Sequence, residues 1–268
     1  MLQFLIDNKA IIIAIFFILL VFLESIIPAY QLSKKKWQHD FFNLIIGLVN
    51  VLLTALVLSL LFSLTSDIIK DKEIGLSYVL GHHSTWTLIA TLLLFDCCMY
   101  FWHRLNHRVP FLWQFHALHH IDEAMDASSA VRFHFVEIIL SCLYRLPLMF
   151  VLGMPLEWML LYEVCLLPVI LFHHSAIKIP QSLETCLAIF IVTPGIHRVH
   201  HSPKSELCHS NYSSILSIWD RLFGSFKGQS LNKDMTYGLK GMHDDSRIKS
   251  IISMYLLKFL QKNKPKND

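Results

Sequence analysis

Long apolar stretches recur along the chain, and their lengths are typical of helices that cross a membrane. The first runs from Ala10 to about Tyr30 and is interrupted by Glu24, and the second runs from Phe41 to Leu64 without a charge. About 20 apolar residues are enough to cross the hydrocarbon core of a bilayer. We therefore predict two membrane spans. Because the first lacks the basic start and the cleavage site of a signal peptide, we interpret it as a retained anchor.

Three further apolar segments predict three more spans. The third runs from Ser84 to Trp102, with Asp96 near its end. The fourth and fifth, Ile138 to Leu152 and Leu156 to Phe172, are separated by Gly-Met-Pro at 153–155, which is a turn signal. The spacing predicts a helical hairpin. Its arms, at about 1.5 Å per residue, are short for a full crossing of the bilayer.

The distribution of lysine predicts which side of the membrane each loop occupies. Short loops rich in Lys and Arg stay in the cytoplasm, and residues 34–36, between the first two spans, are all lysine. We therefore expect the N-terminus and the loop 65–83 outside, and the stretch 103–134 and the chain after residue 173 inside. This topology places most of the histidines on the cytoplasmic face.

Composition supports a membrane protein and argues against other classes. Of the 268 residues, 54% are apolar and 16% are charged, which is typical of a membrane protein. A net charge of +3 without a basic stripe argues against a nucleic-acid partner, and six cysteines without a C-x-x-C pair indicate neither a disulfide framework nor a thiolate metal site. We divide the chain into N-terminal membrane helices (1–84), a histidine-rich region (85–228) that includes the hairpin (138–172), and a cytoplasmic tail (229–268).

Histidine is concentrated in three short clusters, HRLNH, FHALHH and HRVHH. Because residues three or four apart share one face of a helix, each cluster can direct two or three ring nitrogens at one point. Neutral imidazole is a common ligand of transition metals and brings no negative charge to the membrane boundary. Eight such residues exceed what one ion needs, so the pattern predicts two metals. The clustered histidines are His103, His107, His116, His119, His120, His197, His200 and His201.

Other polar residues are assigned by their position. His134 and His174 lie at the cytoplasmic ends of the hairpin arms and are additional candidate ligands, with His174 favoured over His173. Asp96 and Glu137 suit acceptors for the outer N–H of a metal-bound histidine; the alternative is a helix-end charge that reaches toward water. His209 is ambiguous. The histidines interpreted as surface or interfacial loop residues are His39, His82, His83 and His243.

The hairpin carries one charge of each sign within its arms. Arg145 lies nine positions before Met154, and Glu163 lies nine positions after it. Antiparallel arms therefore place the two charges at a similar depth. Because charges inside a membrane usually face the protein and pair with each other, we predict a structural ion pair.

A series of motifs in a fixed order carries a family resemblance. The motifs are DCCMYFWHRLNH, WQFHALHH, VRFHFVE, FHHSAI, TPGIHRVHHS and NYSSILSIWDRLFGSF. From about Leu92 to Phe226 the chain thus resembles the fatty acid hydroxylase and sterol desaturase superfamily of integral-membrane di-iron enzymes. It departs at His209, where members often carry an acid, and at Ser213, where they often carry Gly. Asn211 either helps to close the site or packs beside the last cytoplasmic helix.

The resemblance implies both a fold and an activity. The fold is an all-α integral-membrane helical bundle with a cytoplasmic histidine-rich di-metal cap, in which the eight clustered histidines hold two irons. The activity is hydroxylation or desaturation of an unactivated C–H bond in a fatty-acyl, alkyl-lipid or sterol-like substrate, with O2 and two external electrons. We find no haem, flavin or nicotinamide motif, so a separate donor is implied: a reductase, ferredoxin or cytochrome, or a reduced pterin. The expected location is a bacterial inner membrane, with the endoplasmic reticulum as the alternative.

Two other functions explain parts of the same pattern. A histidine-rich membrane metal transporter or sensor needs polar groups deep in several spans, whereas the second span has few beyond Asn43, Asn50 and Thr54. A metal-dependent lipid hydrolase normally recruits carboxylates, and few lie in the clusters. The oxygenase hypothesis is therefore favoured.

Overall fold

A computed structural model describes residues 2–32, 34–228 and 236–239. Across these residues the protein contains α-helices, one 3-10 helix at Ala127–Val131 and no strand. The predicted all-α class is confirmed. In chain order the α-helices are α1 (Leu2–Asp7), α2 (Lys9–Ile26), α3 (Lys36–Lys72), α4 (Leu76–Val79), α5 (Thr85–Arg108), α6 (Pro110–His120), α7 (Phe135–Leu152), α8 (Leu156–His174), α9 (Gln181–Leu187), α10 (Pro194–His200), α11 (Ser205–Cys208) and α12 (Ile218–Leu222).

Five of these helices, α2, α3, α5, α7 and α8, are long and apolar enough to cross a membrane. They coincide with the five predicted spans. Their outward side chains remain apolar, and Leu56 on α3, for example, is 82% exposed. Apolar surface of this kind suits contact with lipid rather than water.

The second span is longer than its apolar segment, because α3 continues beyond Leu64 to Lys72. The additional turns contain Ser66 and Ile69, which are buried. The hydroxyl of Ser66 accepts a hydrogen bond from the backbone N–H of Leu156 at 2.9 Å. Contact with the start of α8 therefore extends the helix beyond the end predicted from hydrophobicity.

The hairpin is confirmed, with its turn at 153–155. Gly153 ends α7 with a φ of +65°, a left-handed conformation that glycine adopts at little cost. Met154 is fully buried, and Pro155 immediately precedes α8. The chain thus reverses within three residues and places α7 and α8 side by side.

The main hydrophobic core lies between α5 and the two arms of the hairpin. Phe95 and Met99 on α5, Met149 on α7, and Met159 and Tyr162 on α8 are all buried and belong to one cluster. This core holds the three helices together beneath the end of the bundle where the histidines lie.

The predicted ion pair within the hairpin is confirmed. Arg145 Nη1 lies 3.6 Å from Glu163 Oε1. The sequence did not indicate a third member of this group: Lys9 Nζ lies 2.5 Å from Glu163 Oε2. Two cations therefore share one carboxylate within the membrane region.

A buried polar network ties the first two spans to the loop after α6. Lys36 Nζ lies 2.7 Å from Asp126, and Glu24 accepts the backbone N–H groups of Ala127 at 2.8 Å and Ala176 at 2.6 Å. Backbone donors buried in this way cost free energy when they have no acceptor. Glu24 is thus a structural acceptor inside an apolar helix.

The expectation that His39 is an ordinary loop residue is wrong. His39 lies in the first turn of α3 and is buried, with Nε2 2.8 Å from Asp122 Oδ1. No local pattern predicts this contact, because 83 residues separate the partners. His82 and His83 lie in the turn before α5, and His243 lies outside the described residues.

Candidate metal centre

Four helices bring the histidines to one end of the bundle. His103 and His107 lie in the last two turns of α5, and α6 begins at Pro110 after Val109 in an extended conformation. Proline fixes the first turn of α6, because its ring presets the helical φ and it has no N–H to satisfy. His174 ends α8, and the third cluster lies on and directly after α10.

Five rings form the first group, which we call the five-histidine group. One ligand nitrogen from each residue lies within 4.8 Å of those of all the others. The Nε2 atoms of His103, His107 and His200 are buried without a hydrogen-bond partner among the residues that the structure describes, and those of His116 and His120 lie 3.2 Å apart. The group consists of His103, His107, His116, His120 and His200.

The Nδ1 atoms of these five rings, which we call the outer nitrogens, all contact a protein atom. His103 Nδ1 lies 2.8 Å from the carbonyl oxygen of Tyr212, and His200 Nδ1 lies 2.6 Å from that of Ser210. A carbonyl oxygen only accepts, so each Nδ1 carries the proton and each Nε2 lone pair faces the centre of the group. Fixing the tautomer in this way is the usual role of the residues around a metal-binding histidine.

Side chains hold the other three outer nitrogens of the group. His116 Nδ1 donates to Glu137 Oε1 at 2.8 Å. His107 Nδ1 lies 3.2 Å from His209 Nδ1, and the Sγ of Cys208 lies 3.7 Å from His120 Nδ1. The contact expected of Glu137 is present. The contacts of Cys208 and His209 were not predicted.

A second set, the four-histidine group, lies beside the first. It consists of His119, His174, His197 and His201, whose ligand atoms also lie within 4.8 Å of one another. His174 Nδ1 donates to the carbonyl of Ile170 at 2.8 Å, so its Nε2 is a bare acceptor. That Nε2 lies 3.0 Å from the Nε2 of both His119 and His197.

The two groups are in direct contact through one pair of stacked rings. The ring of His120, in the five-histidine group, stacks on the ring of His201, in the four-histidine group, with centroids 4.4 Å apart and an interplanar angle of 16°. Eight of the nine histidines are buried, and His103 is partly exposed. The groups therefore form one continuous site with two centres.

Burial keeps the imidazoles outside the membrane spans neutral. Desolvation, followed by the charge of neighbouring histidines, holds the pKa of His119, His120, His197, His200 and His201 well below the ordinary value of 6.5. Only a neutral imidazole has a lone pair available for a metal.

The donor set fits two transition-metal ions. Each group offers four or five neutral nitrogens, which is the ligand type that suits iron, copper, zinc or nickel. The Nε2 atoms of the five-histidine group are buried, and three of them have no partner within the described part of the chain. An unpartnered buried acceptor normally costs free energy. A bound cation would satisfy each of these nitrogens.

Three other residues expected near the metals make different contacts. His134 belongs to neither group; its Nδ1 accepts the backbone N–H of Val136 at the start of α7. The expectation that Asp96 orients a histidine is wrong, because its carboxylate accepts from Tyr162 and Trp219, both at 2.7 Å. Asn211 binds backbone groups, including the carbonyl of Ile196.

Asn211 still shapes the site through the backbone. It adopts a φ of +52°, a left-handed conformation in which Asn is favoured. Its side chain also accepts the backbone N–H of Lys227 at 2.9 Å. These contacts fix the loop whose carbonyls at Ser210 and Tyr212 hold two histidines. Carbonyl groups occur in every residue, so no sequence signal could have identified them.

A cavity of about 290 Å³ adjoins both groups. It extends from the histidines along the faces of α5, α7 and α8 that meet in the bundle. His103, His116, His119, His174 and His197 line one end. Most of the remaining lining is apolar: Met99, Trp102, Phe133, Ile138, Cys142, Leu166, Leu167 and Ile170.

These features define a multi-pass membrane protein with a buried, histidine-rich site at one end of a helical bundle. The profile of the family described as fatty acid hydroxylase matches residues 88–225, about half of the chain. The chain belongs to the fatty acid hydroxylase family. The matched residues contain all nine histidines of the two groups.

Similar proteins include lipid-modifying enzymes. The chain is 32% identical over 161 residues to alkylglycerol monooxygenase of Homo sapiens, which covers 58% of this chain and 34% of the relative. It is 30% identical over 155 residues to an ornithine lipid hydroxylase of Rhizobium tropici, and the match covers 58% of this chain and 46% of that relative. The chain is 26% identical over 154 residues to cholesterol 25-hydroxylase of Homo sapiens, and the match covers 57% of this chain and 54% of that relative. The chain thus spans about a third to a half of these relatives, and no solved structure matches significantly.

Proposed function

We propose that this protein is a membrane-bound di-iron oxygenase that uses O2 and two external electrons to hydroxylate, or desaturate, an unactivated C–H bond of a lipid. The observation that carries the proposal is the convergence of nine imidazoles in two adjoining groups beside an apolar cavity. A donor set made entirely of neutral nitrogen favours a redox metal over the oxygen-rich sites of hydrolases.

The proposed ligands divide between the two irons as the groups do. His103, His107, His116, His120 and His200 would hold one iron, and His119, His174, His197 and His201 the other. His134 is retained only as a candidate to orient the start of α7. Bound iron would supply the oxygen chemistry that protein side chains lack.

The protein's own residues prepare this site in three ways. Glu137 and the carbonyl groups of Ser210 and Tyr212 fix the tautomers of three ligands. Burial of both groups excludes bulk water. The apolar walls of the cavity, such as Leu166 and Ile170, would hold a hydrocarbon chain beside the histidines.

The names of the relatives support a lipid substrate. They describe enzymes that act on an alkylglycerol, an ornithine lipid and cholesterol, which share an apolar body. We infer a fatty-acyl, alkyl-lipid or sterol-like substrate, and an electron donor on a separate protein or a reduced pterin. Following the lysine distribution, we place the histidine end on the cytoplasmic face, in a bacterial inner membrane or alternatively the endoplasmic reticulum.

Metal analysis of purified protein, combined with oxygen uptake under reducing conditions, tests the proposal. We expect about two irons per chain and lipid-dependent oxygen consumption, abolished by His119→Ala. In sealed vesicles, uptake should require the donor on the cytoplasmic side. Zinc as the bound metal after expression with excess iron, with no oxidation of any lipid, would instead favour a metal transporter or sensor.

A further inference from the structure

The cavity beside the histidines is lined by one arginine, Arg145, among the described residues. Arg145 lines it from α7, on the same helix face as Ile138, Ser141 and Cys142. Glu137, on that face at the histidine end, lies eight positions earlier, which corresponds to about 12 Å along a helix. The cavity thus has histidines at one end and a guanidinium at the other.

The guanidinium is not fully satisfied by the protein. Its Nε is buried without a hydrogen-bond partner among the described residues. Its ion pair with Glu163 Oε1 is long, at 3.6 Å, and the other oxygen of that carboxylate lies 2.5 Å from Lys9. Arginine stays protonated in proteins, and a buried donor without an acceptor is costly.

The ion-pair group around Arg145 contains two cations and one carboxylate. Lys9 and Arg145 share the single carboxylate of Glu163. Another buried acid, Asp96, accepts its hydrogen bonds from Tyr162, Leu216 and Trp219. A charged group inside a membrane protein commonly marks a ligand pathway, and a ligand carboxylate could accept from the Arg145 donor that the described residues leave unpaired.

The geometry points to a carboxylate-binding subsite: we propose that Arg145 binds the carboxylate of a single-chain lipid whose tail extends through the cavity to the histidines. A carboxylate matches the planar fork of N–H donors of a guanidinium. Because long side chains of a helix point toward its N-terminus, Arg145 is directed into the cavity and toward the histidine end of α7.

This subsite would select the carbon that reacts, and in that respect it rests on the proposed function. An extended chain advances about 1.2 Å per bond. The backbone positions of Glu137 and Arg145 are about 12 Å apart, and the guanidinium is directed toward the histidines, so roughly ten bonds or fewer bridge the distance from the guanidinium to the histidines. A longer or shorter spacing between the carboxylate and the attacked carbon would be disfavoured.

Binding of decanoate and 1-decanol to the full-length protein tests the proposal. The protein is held in nanodiscs of neutral lipid, without oxygen or reductant, and binding is measured by equilibrium dialysis against empty nanodiscs. We expect wild type to bind decanoate roughly tenfold or more tightly than decanol. Arg145→Gln should remove this preference and leave decanol binding unchanged.

A matched control comes from the other member of the ion pair. Arg145→Gln leaves Glu163 paired with Lys9, so the variant contains no carboxylate that has lost its only cation. Glu163→Gln should keep or increase the preference for decanoate, because both cations remain. If Arg145→Gln, with unchanged helicity and metal content, binds decanoate as wild type does, or if wild type shows no preference, the proposal is wrong.

The same preparations separate this inference from the proposed function. Protein that consumes oxygen with a lipid but shows no dependence on Arg145 would overturn the subsite alone. Arg145-dependent binding of decanoate by protein that oxidises no lipid would overturn the oxygenase and retain the carboxylate subsite.

Discussion

At the scale of single residues, two buried carboxylates that look equivalent in the sequence have different roles. Glu137 accepts a hydrogen bond from His116 Nδ1 at 2.8 Å. Asp96 accepts from Tyr162, Leu216 and Trp219. The first is therefore a positioning residue for a proposed metal ligand, and the second joins three segments of the fold.

This difference predicts opposite outcomes for two matched substitutions. Glu137→Gln should weaken metal binding by about 10- to 100-fold, because residues that orient a ligand contribute that much. Asp96→Asn should instead lower stability by about 1–3 kcal/mol, since an amide cannot accept from all its donors, and should leave the metal content unchanged. Metal titration and thermal unfolding of both variants distinguish the effects. Equal loss of metal in both would contradict the assignment.

At the scale of elements, two turns at the end of the bundle away from the histidines pack backbone against backbone. A Cβ added at Gly75 would lie 2.1 Å from the backbone nitrogen of Gly153, and Gly75 also has a φ of +104°. Ser77 Oγ donates to the carbonyl of Gly153 at 2.6 Å. The hairpin turn is thus held against the segment that follows α3.

Gly75→Ala should therefore destabilise the bundle strongly. Gly81 is a matched control, because its φ is +92° but an added Cβ would meet no atom within 4 Å. Gly81→Ala should cost only the backbone strain, about 1–3 kcal/mol. Gly75→Ala should cost more, or prevent folding, because backbone atoms must also move. Thermal unfolding in detergent compares them, and equal losses would argue against close packing of the turns.

At the scale of the whole molecule, the buried histidines make stability depend on pH. Desolvation and neighbouring histidines lower the pKa of His119, His120, His197, His200 and His201 far below 6.5. The unfolded chain, with ordinary values near 6.5, takes up protons that the folded protein cannot. As the pH falls through about 6.5, the unfolded state is therefore favoured.

We expect metal-free protein, prepared with a chelator, to unfold at a clearly lower temperature at pH 5.5 than at pH 7.5. Replacing His119 and His201 by Gln should reduce this difference, because two of the depressed groups are removed. Circular dichroism during heating at both pH values measures it. An unchanged unfolding temperature across this range would show that the rings remain accessible to protons in the folded state.

The sequence by itself determined the five spans, the hairpin and the eight clustered histidines. These features follow from local patterns: a run of apolar residues long enough for the bilayer, a Gly-Met-Pro turn, and histidines three or four positions apart. The ion pair of Arg145 and Glu163 was also predictable, because a short antiparallel hairpin fixes which positions face each other.

Only the tertiary structure decided how the histidines divide and what surrounds them. His119 and His120 are neighbours in the chain but belong to different groups, because successive helical residues point about 100° apart. His174 joins a group and His134 does not, and the carbonyl of Tyr212 contacts His103 across 109 residues of sequence. Such contacts depend on how α6, α8 and α10 pack together, and packing between distant segments leaves no periodic signal in the sequence.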